Sequence, residues 1–185
     1  MFRLFVALSL PDPIKGDLAL LNYGLPGARW VGPANLHLNL RFIGEVDGGA
    51  FADVRDTLSD VRIEPFELTL KGTGFFPPKQ SPHTLWAGVE KSESLAVLHS
   101  RVEAALAKAG FPRESRKFAP HVTVARLTDA PDNRVATWLS GNALFKSAPF
   151  LVGSFCLYSS LLTGHGAEYE IEEEYELHAN GYPIS

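Results

Sequence analysis

Leu36-His37-Leu38-Asn39-Leu40 and Pro120-His121-Val122-Thr123-Val124 are two copies of one local design, set nearly half the chain apart in 185 residues. In each, a histidine and a hydrogen-bonding side chain stand two residues apart with aliphatic residues between and beyond them. Side chains alternate between the faces of a β-strand, so His37 and Asn39 share one face while Leu38 and Leu40 take the other. His121 and Thr123 do the same opposite Val122 and Val124. The aliphatic face supplies core contacts, and the polar face is free to line a cleft. A duplicated fold that pairs the two strands about a pseudo-twofold axis brings the two imidazoles together.

Around these copies the chain alternates strand and helix signals. Phe2–Leu10 reads as a strand, followed by a helix from Asp12-Pro13 to about Tyr23, with Asp12 as its cap. Ala28–Val31 is a short extended piece, and Leu36–Ile43 is a strand closed by Gly44. Helical periodicity then covers Ala50 to about Val61, and Phe66–Phe76 reads as one strand. Residues 77–82, rich in proline, form a loop before a strand at Thr84–Val89. Leu95, Leu98, Val102, Ala105, Leu106 and Ala109 define the clearest helix, with Gly110 as its stop. A strand at Phe118–Leu127, a helix from Pro131 to about Ser140, and strands at Phe150–Leu161 and Ala167–His178 complete the order. Neighbouring strands are joined partly by hairpins and partly across helices, so the fold expected is α+β, with antiparallel or mixed sheets and helices packed outside.

Composition narrows the function. Hydrophobic residues make up 45% and charged residues 21%, which is an ordinary globular balance. The net charge of −4 excludes a sweeping basic surface for duplex DNA, although a local cation cluster can still hold a nucleotide or an RNA end. Cys156 is the single cysteine, which excludes an intrachain disulfide and a cysteine-based zinc site and favours a reducing, cytoplasmic setting. Leu4–Leu10 is too short to span a membrane and reads better as a first strand than as a signal peptide. No Gly-rich phosphate loop, nucleophile elbow or metalloprotease helix signature is present.

Two imidazoles facing one cleft suit displacement at phosphorus. Such a reaction needs a base on the attacking oxygen and an acid on the leaving oxygen, and histidine serves either role near neutral pH. Asn39 and Thr123 can donate to the non-bridging oxygens. No metal or other cofactor is required, and no Asp or Glu accompanies either copy at ligand spacing; Glu45 and Asp129 are the nearest. From the residues alone either imidazole can take either part.

The chain resembles the two-histidine (2H) phosphoesterases, specifically the RNA 2′,3′-cyclic phosphodiesterases also called LigT or ThpR and once named 2′-5′ RNA ligases. The resemblance runs from Arg3-Leu4-Phe5-Val6-Ala7-Leu8 through Trp30-Val31, Asn35–Leu40 with Phe42 and Gly44, Leu85-Trp86 and Gly88-Val89. It continues through Phe118–Arg126 to Ser160-Leu161 and Gly166-Ala167-Glu168-Tyr169. The family signature His-x-Thr-x is met at His121–Val124, while Asn39 replaces the threonine of the first copy. The resemblance implies one unit over residues 1–185, built as a bilobal pseudo-twofold fold of two intertwined antiparallel-sheet lobes with a central cleft. It implies metal-free hydrolysis of an RNA 2′,3′-cyclic phosphate to a 2′-phosphomonoester by a monomer, together with reversible ATP-independent 2′-5′ RNA ligation. His37 would be the general acid and His121 the general base, with Asn39, Thr123 and Arg126 on the phosphate.

Simple alternation puts Arg126 on the Val122 and Val124 face, so reaching the site requires a bulge, a strand end or strong twist. Phe42 and Phe118 are candidates for stacking on a base. Trp30 and Trp86 read as core or cleft wall, and Arg41, Lys79 and Arg116 as surface charge that can guide an RNA tail. His83, His99, His165 and His178 read as ordinary histidines, and Glu168–Glu176 as an exposed strand face. The rival readings are a phosphodiesterase for a small cyclic nucleotide, a binding module for nucleotides or RNA ends in which Asn39 has cost the chemistry, and metal-dependent hydrolysis using the same histidines.

Overall fold

The computed structural model describes residues 1–178. Its centre is a pair of strands, β3 (His37–Val46) and β7 (His121–Leu127), which carry the two copies and run antiparallel. Leu38 pairs with Val122, and both side chains are fully buried. On one side of β3 lie β1 (Phe2–Ser9), β9 (Ser154–Thr163) and β10 (Gly166–Glu176); on the other side of β7 lie β6 (Thr84–Val89) and β5 (Leu70–Phe76). The eighth strand, β2 (Ala28–Trp30), pairs with β7. A separate two-stranded sheet joins β4 (Phe66–Leu68) to β8 (Phe150–Val152).

The helices tie the two halves together. The first half contributes α1 (Asp12–Ala19) and α2 (Gly48–Leu58), and the second contributes α3 (Glu93–Lys108) and α4 (Asp132–Gly141). α2 packs on α3, and α3 reaches under β3 of the other half. α4 meets the segment after α1: the Trp138 indole N–H donates to the Leu21 carbonyl at 2.9 Å, and Arg134 donates to the Gly24 carbonyl at 3.0 Å. One continuous apolar core therefore runs from Leu4 to Leu177 through both halves. The expected α+β architecture, with two antiparallel halves and outer helices, is the one observed.

Boundaries differ from the sequence expectation where backbone chemistry intervenes. The run expected as one strand over Phe66–Phe76 changes sheets between β4 and β5, where the Leu70 N–H turns to Ser147 Oγ at 2.9 Å and Gly72 takes a positive φ of 75°. Strand β7 starts at His121 rather than Phe118, directly after Pro120, which has no N–H to give to a ladder. Asp12 is the first helical residue rather than the cap; Pro11 occupies that position, and α1 ends at Ala19 before looser turns reach Tyr23. By contrast Asp47 does cap α2, accepting from the Ala50 N–H.

A buried ion pair fastens the chain that leads into β7. Arg41 of β3 and Glu103 of α3 meet at 2.6 Å, with side-chain exposures of 11% and 5%. Glu103 also accepts the Glu114 N–H at 2.9 Å, and Arg41 donates to the Pro112 carbonyl at 2.6 Å. Replacing Glu103 by alanine leaves a buried guanidinium unpaired and is expected to cost about 3–5 kcal/mol. Chemical denaturation of Glu103→Ala against the parent protein measures it.

Candidate active site

The register of β3 on β7 builds the site. With Leu38 opposite Val122, continued antiparallel pairing sets His37 across from Thr123 and Asn39 across from His121, all on the face away from the core. Each histidine is diagonal to the other, a placement that separates Cα atoms by about 7–8 Å. Four polar groups thus form one patch at the floor of a cleft of about 790 Å³.

Both rings are held in the same way. His37 Nδ1 lies 2.8 Å from the Asn35 carbonyl and His121 Nδ1 lies 2.7 Å from the Ala119 carbonyl, in each case two residues back. A carbonyl only accepts, so each Nδ1 carries hydrogen and donates, and Nε2 is left for the cleft. Aromatic rings fix the imidazoles from behind. Phe5 and Tyr169 lie 5.0 and 5.3 Å from the His37 ring, and Phe76 lies 4.9 Å from His121. The Trp86 indole backs His121 at 6.3 Å, in space that exists because residue 74 is glycine; a Cβ there would overlap the indole. Asn35 acts twice, since its side chain also donates to the Ala167 carbonyl at 2.9 Å and so fastens the β9–β10 hairpin to the segment that holds His37.

Arg126 reaches the cleft through a β-bulge. The β6–β7 register passes from Leu85↔Ala125 to Trp86↔Thr123, which leaves Val124 unpaired as an extra residue. Val124 and Ala125 both face the core, at 1% and 0% exposure, and Arg126 returns to the side of His121 and Thr123. The first copy contains the same device. Between Val6↔Arg41 and Ala7↔Asn39 the residue Leu40 is extra, so Leu40 and Arg41 both turn inward and Phe42 comes back to the cleft. The fifth residue after each histidine is therefore a cleft residue, phenylalanine in one half and arginine in the other. Arg3 lies over the Phe42 ring, 5.4 Å from its centroid.

Of the residues singled out from sequence, His37, His121, Asn39, Thr123, Arg126 and Phe42 line this cleft together. Phe118 does not. Its ring is stacked on His99 of α3, with centroids 3.9 Å apart, and packs against the core; a segment anchored to α3 holds it away from the cleft. Arg41 is no guide for an RNA tail, since it is buried against Glu103. Arg116 and Lys79 are exposed and outside the cleft. Trp30 forms a cleft wall, whereas Trp86 stands behind His121. Arg3, Arg29, Asn35, His165 and Tyr169 also line the cleft and were not assigned to it from sequence. Period-2 alternation along β1 puts Arg3 and Phe5 on one face, a signal for Arg3 that becomes decisive only once β1 is known to flank β3.

Among the described residues, no Asp or Glu lines the cleft. Among the described residues, no group of three or more His, Cys, Asp or Glu side chains is placed to hold a metal ion. No described helix is long and apolar enough to cross a membrane.

Comparison with known proteins agrees with this geometry. The profile of the 2′-5′ RNA ligase superfamily matches residues 14–163. The chain belongs to the 2′-5′ RNA ligase superfamily. It is 35% identical over 178 residues to the RNA 2′,3′-cyclic phosphodiesterase of Thermotoga maritima, covering 91% of this chain and 92% of that protein. It is 33% identical over 171 residues to the enzyme of the same name from Archaeoglobus fulgidus, covering 91% and 96%. Among solved structures, a Thermus thermophilus protein superposes with a TM-score of 0.79 at 27% identity, covering 97% of this chain and all of that one. LigT of E. coli in complex with 3′-AMP gives 0.77 at 25% identity, covering 95% and 98%.

Burial pushes the His37 pKa below the ordinary imidazole value of 6.5; the Asn35 carbonyl opposes this, and the nearby His121 and Arg126 add to it. An anion bound in the cleft acts in the opposite direction. The His37 resonances are expected to titrate below 6.5 in the free protein, and at higher pH once inorganic phosphate is bound or His121 is replaced by alanine. NMR titration of the imidazole signals checks both shifts. The sign for stability follows: the unfolded state binds the His37 proton more readily, so this group's contribution is complete above about 6.5 and is lost as pH falls through the lower folded value.

Proposed function

We propose that this chain hydrolyses RNA 2′,3′-cyclic phosphate ends to 2′-phosphomonoesters, the activity for which its Thermotoga and Archaeoglobus relatives are named. The observation that carries the reading is the pair of imidazoles held diagonally on one floor, each with Nδ1 engaged by a carbonyl and Nε2 left to the cleft.

Water attacks phosphorus and gives its proton to His121 Nε2 as the P–O bond forms. The bond from phosphorus to the 3′-oxygen breaks, and His37 Nε2 supplies the proton that the leaving oxygen takes up. In the free protein burial keeps His37 mostly neutral, so it is loaded with that proton as the anionic phosphate enters. Asn39 and Thr123 donate to the non-bridging oxygens, and the Arg126 guanidinium offsets their charge. The exposed Phe42 ring offers a stacking face to a base. Both proton transfers are covered by imidazole, which supports a reaction that needs no metal. Ligation through a 2′-5′ bond follows the same course, with the 5′-hydroxyl of a second RNA end attacking in place of water.

One chain supplies both half-sites, which supports a monomer acting as one catalytic unit. The buried thiol of Cys156 suits a reducing, cytoplasmic setting.

The test is an RNA oligomer ending in a 2′,3′-cyclic phosphate, incubated in excess EDTA, with the position of the product phosphate determined. A 2′-phosphate is expected, with losses of about 10²–10⁴ in rate for His37→Ala and His121→Ala. Near-parental rates in both variants overturn the site assignment. Turnover of nucleoside cyclic phosphates alone would replace RNA by a small nucleotide, and tight binding of a 2′-phosphate without turnover would replace catalysis by binding. Asn39→Thr should preserve or raise the rate, because threonine keeps a donor at that position with less bulk.

A further inference from the structure

Arg29 has no part in the chemistry above, yet it stands directly opposite Arg126 across the β2–β7 ladder, and both line the cleft. Directly opposed residues of an antiparallel pair leave the sheet on the same face with Cβ atoms about 4.5–5.5 Å apart, and like charges there repel. Among the described residues neither guanidinium forms a salt bridge. With Arg3 at the other end, three arginines border a cleft that, among the described residues, is lined by no carboxylate. A nucleoside cyclic phosphate brings one negative charge to this site. The cation supply matches a ligand with more than one phosphate.

Position indicates which phosphate. Thr123 faces His37 across the strands, and Arg126 is the next residue of β7 on that face beyond the bulge, about 7 Å along the strand. Arg29 is level with Arg126 in the ladder and lies on the side of β7 that β3 also occupies, so it continues the line of His37 by the same distance. That displacement is about the reach of one ribose from the reacting phosphorus. An RNA end carrying a cyclic phosphate has one phosphate at that remove, the diester on the 5′ side of its last nucleotide. Arg3 at the opposite end is engaged with the Phe42 ring face, whereas Arg29 has no such partner.

We infer that Arg29, together with Arg126, clamps the diester phosphate on the 5′ side of the terminal nucleotide, so that the cleft selects oligonucleotide ends over cyclic mononucleotides. The two guanidiniums hold that phosphate side by side from neighbouring strands. This rests on the catalytic reading of the cleft given under Proposed function.

The experiment compares kcat/KM for two substrates: an RNA dinucleotide ending in a 2′,3′-cyclic phosphate, which has one internal diester, and the nucleoside 2′,3′-cyclic monophosphate. Arg29→Gln is expected to lose about ten-fold or more on the dinucleotide, in the range for removing a hydrogen bond to a charged group. On the mononucleotide the loss should be under about two-fold. The slope of log kcat/KM against log salt for the dinucleotide should also fall by about 0.7, the value for one phosphate contact on a single strand. Arg29→Lys should recover part of the loss, since it keeps the charge without the fork. Equal losses on both substrates, or none on either, overturn the clamp while parental turnover and its dependence on His37 and His121 still stand. A parental protein that turns over neither substrate sinks the catalytic reading itself, and the clamp with it.

Discussion

A single ladder contact, Leu38 against Val122, joins the two halves of the main sheet. Everything chemical depends on its register. Slipping β3 against β7 by one residue would turn His37 and Asn39 toward the core and present leucine to the cleft beside His121. Register here is fixed from below, by the full burial of Leu38 and Val122 and by helices that cross from each half to the other. The contact is short, yet it is held by the whole apolar core beneath it. The polar face carries almost none of that burden and is free to be shaped for a ligand.

Much of this was legible in the sequence. The two His-x-polar copies gave their own face assignment through period-2 alternation, and the apolar half of each copy declared itself as core. The bulges were not legible: nothing in Leu40-Arg41 or Val124-Ala125 distinguishes an inward pair from a regular alternation, because a bulge is a property of the partner strand's register. Arg126 therefore required a bulge that only pairing could supply. Phe118 went the other way. It sits three residues before a catalytic candidate, but the segment around it is drawn to α3 by Glu103, His99 and Arg41, contacts that link positions far apart in the chain. The cations Arg3 and Arg29 were missed for the same reason. Each lies on a strand whose neighbour in the sheet is remote in sequence.

The net charge conceals the electrostatics of the cleft. The chain is acidic overall, and β10 carries a dense run of carboxylates from Glu168 to Glu176. Yet among the described residues the cleft gathers Arg3, Arg29 and Arg126 with the two imidazoles and no carboxylate. In such a distribution an anion is repelled from much of the surface and attracted to one concave place, where low-dielectric walls strengthen the field. An acidic protein can thus favour a short stretch of RNA at its end while disfavouring nonspecific contact along a duplex.

The bulge repeated at the same offset in both halves has a consequence for direction. A pair of imidazoles related by a pseudo-twofold axis has no built-in front or back: a cyclic phosphate turned end for end would meet the same two rings with the roles of acid and base exchanged. Beside the difference between Asn39 and Thr123, what breaks the equivalence is the fifth residue after each histidine, an aromatic ring in one half and a guanidinium in the other. Base and phosphate of a nucleotide cannot both be satisfied when it lies the wrong way round. In the proposed reaction, polarity of docking, and with it the choice of which ribose oxygen departs, then follows from Phe42 and Arg126 rather than from the histidines.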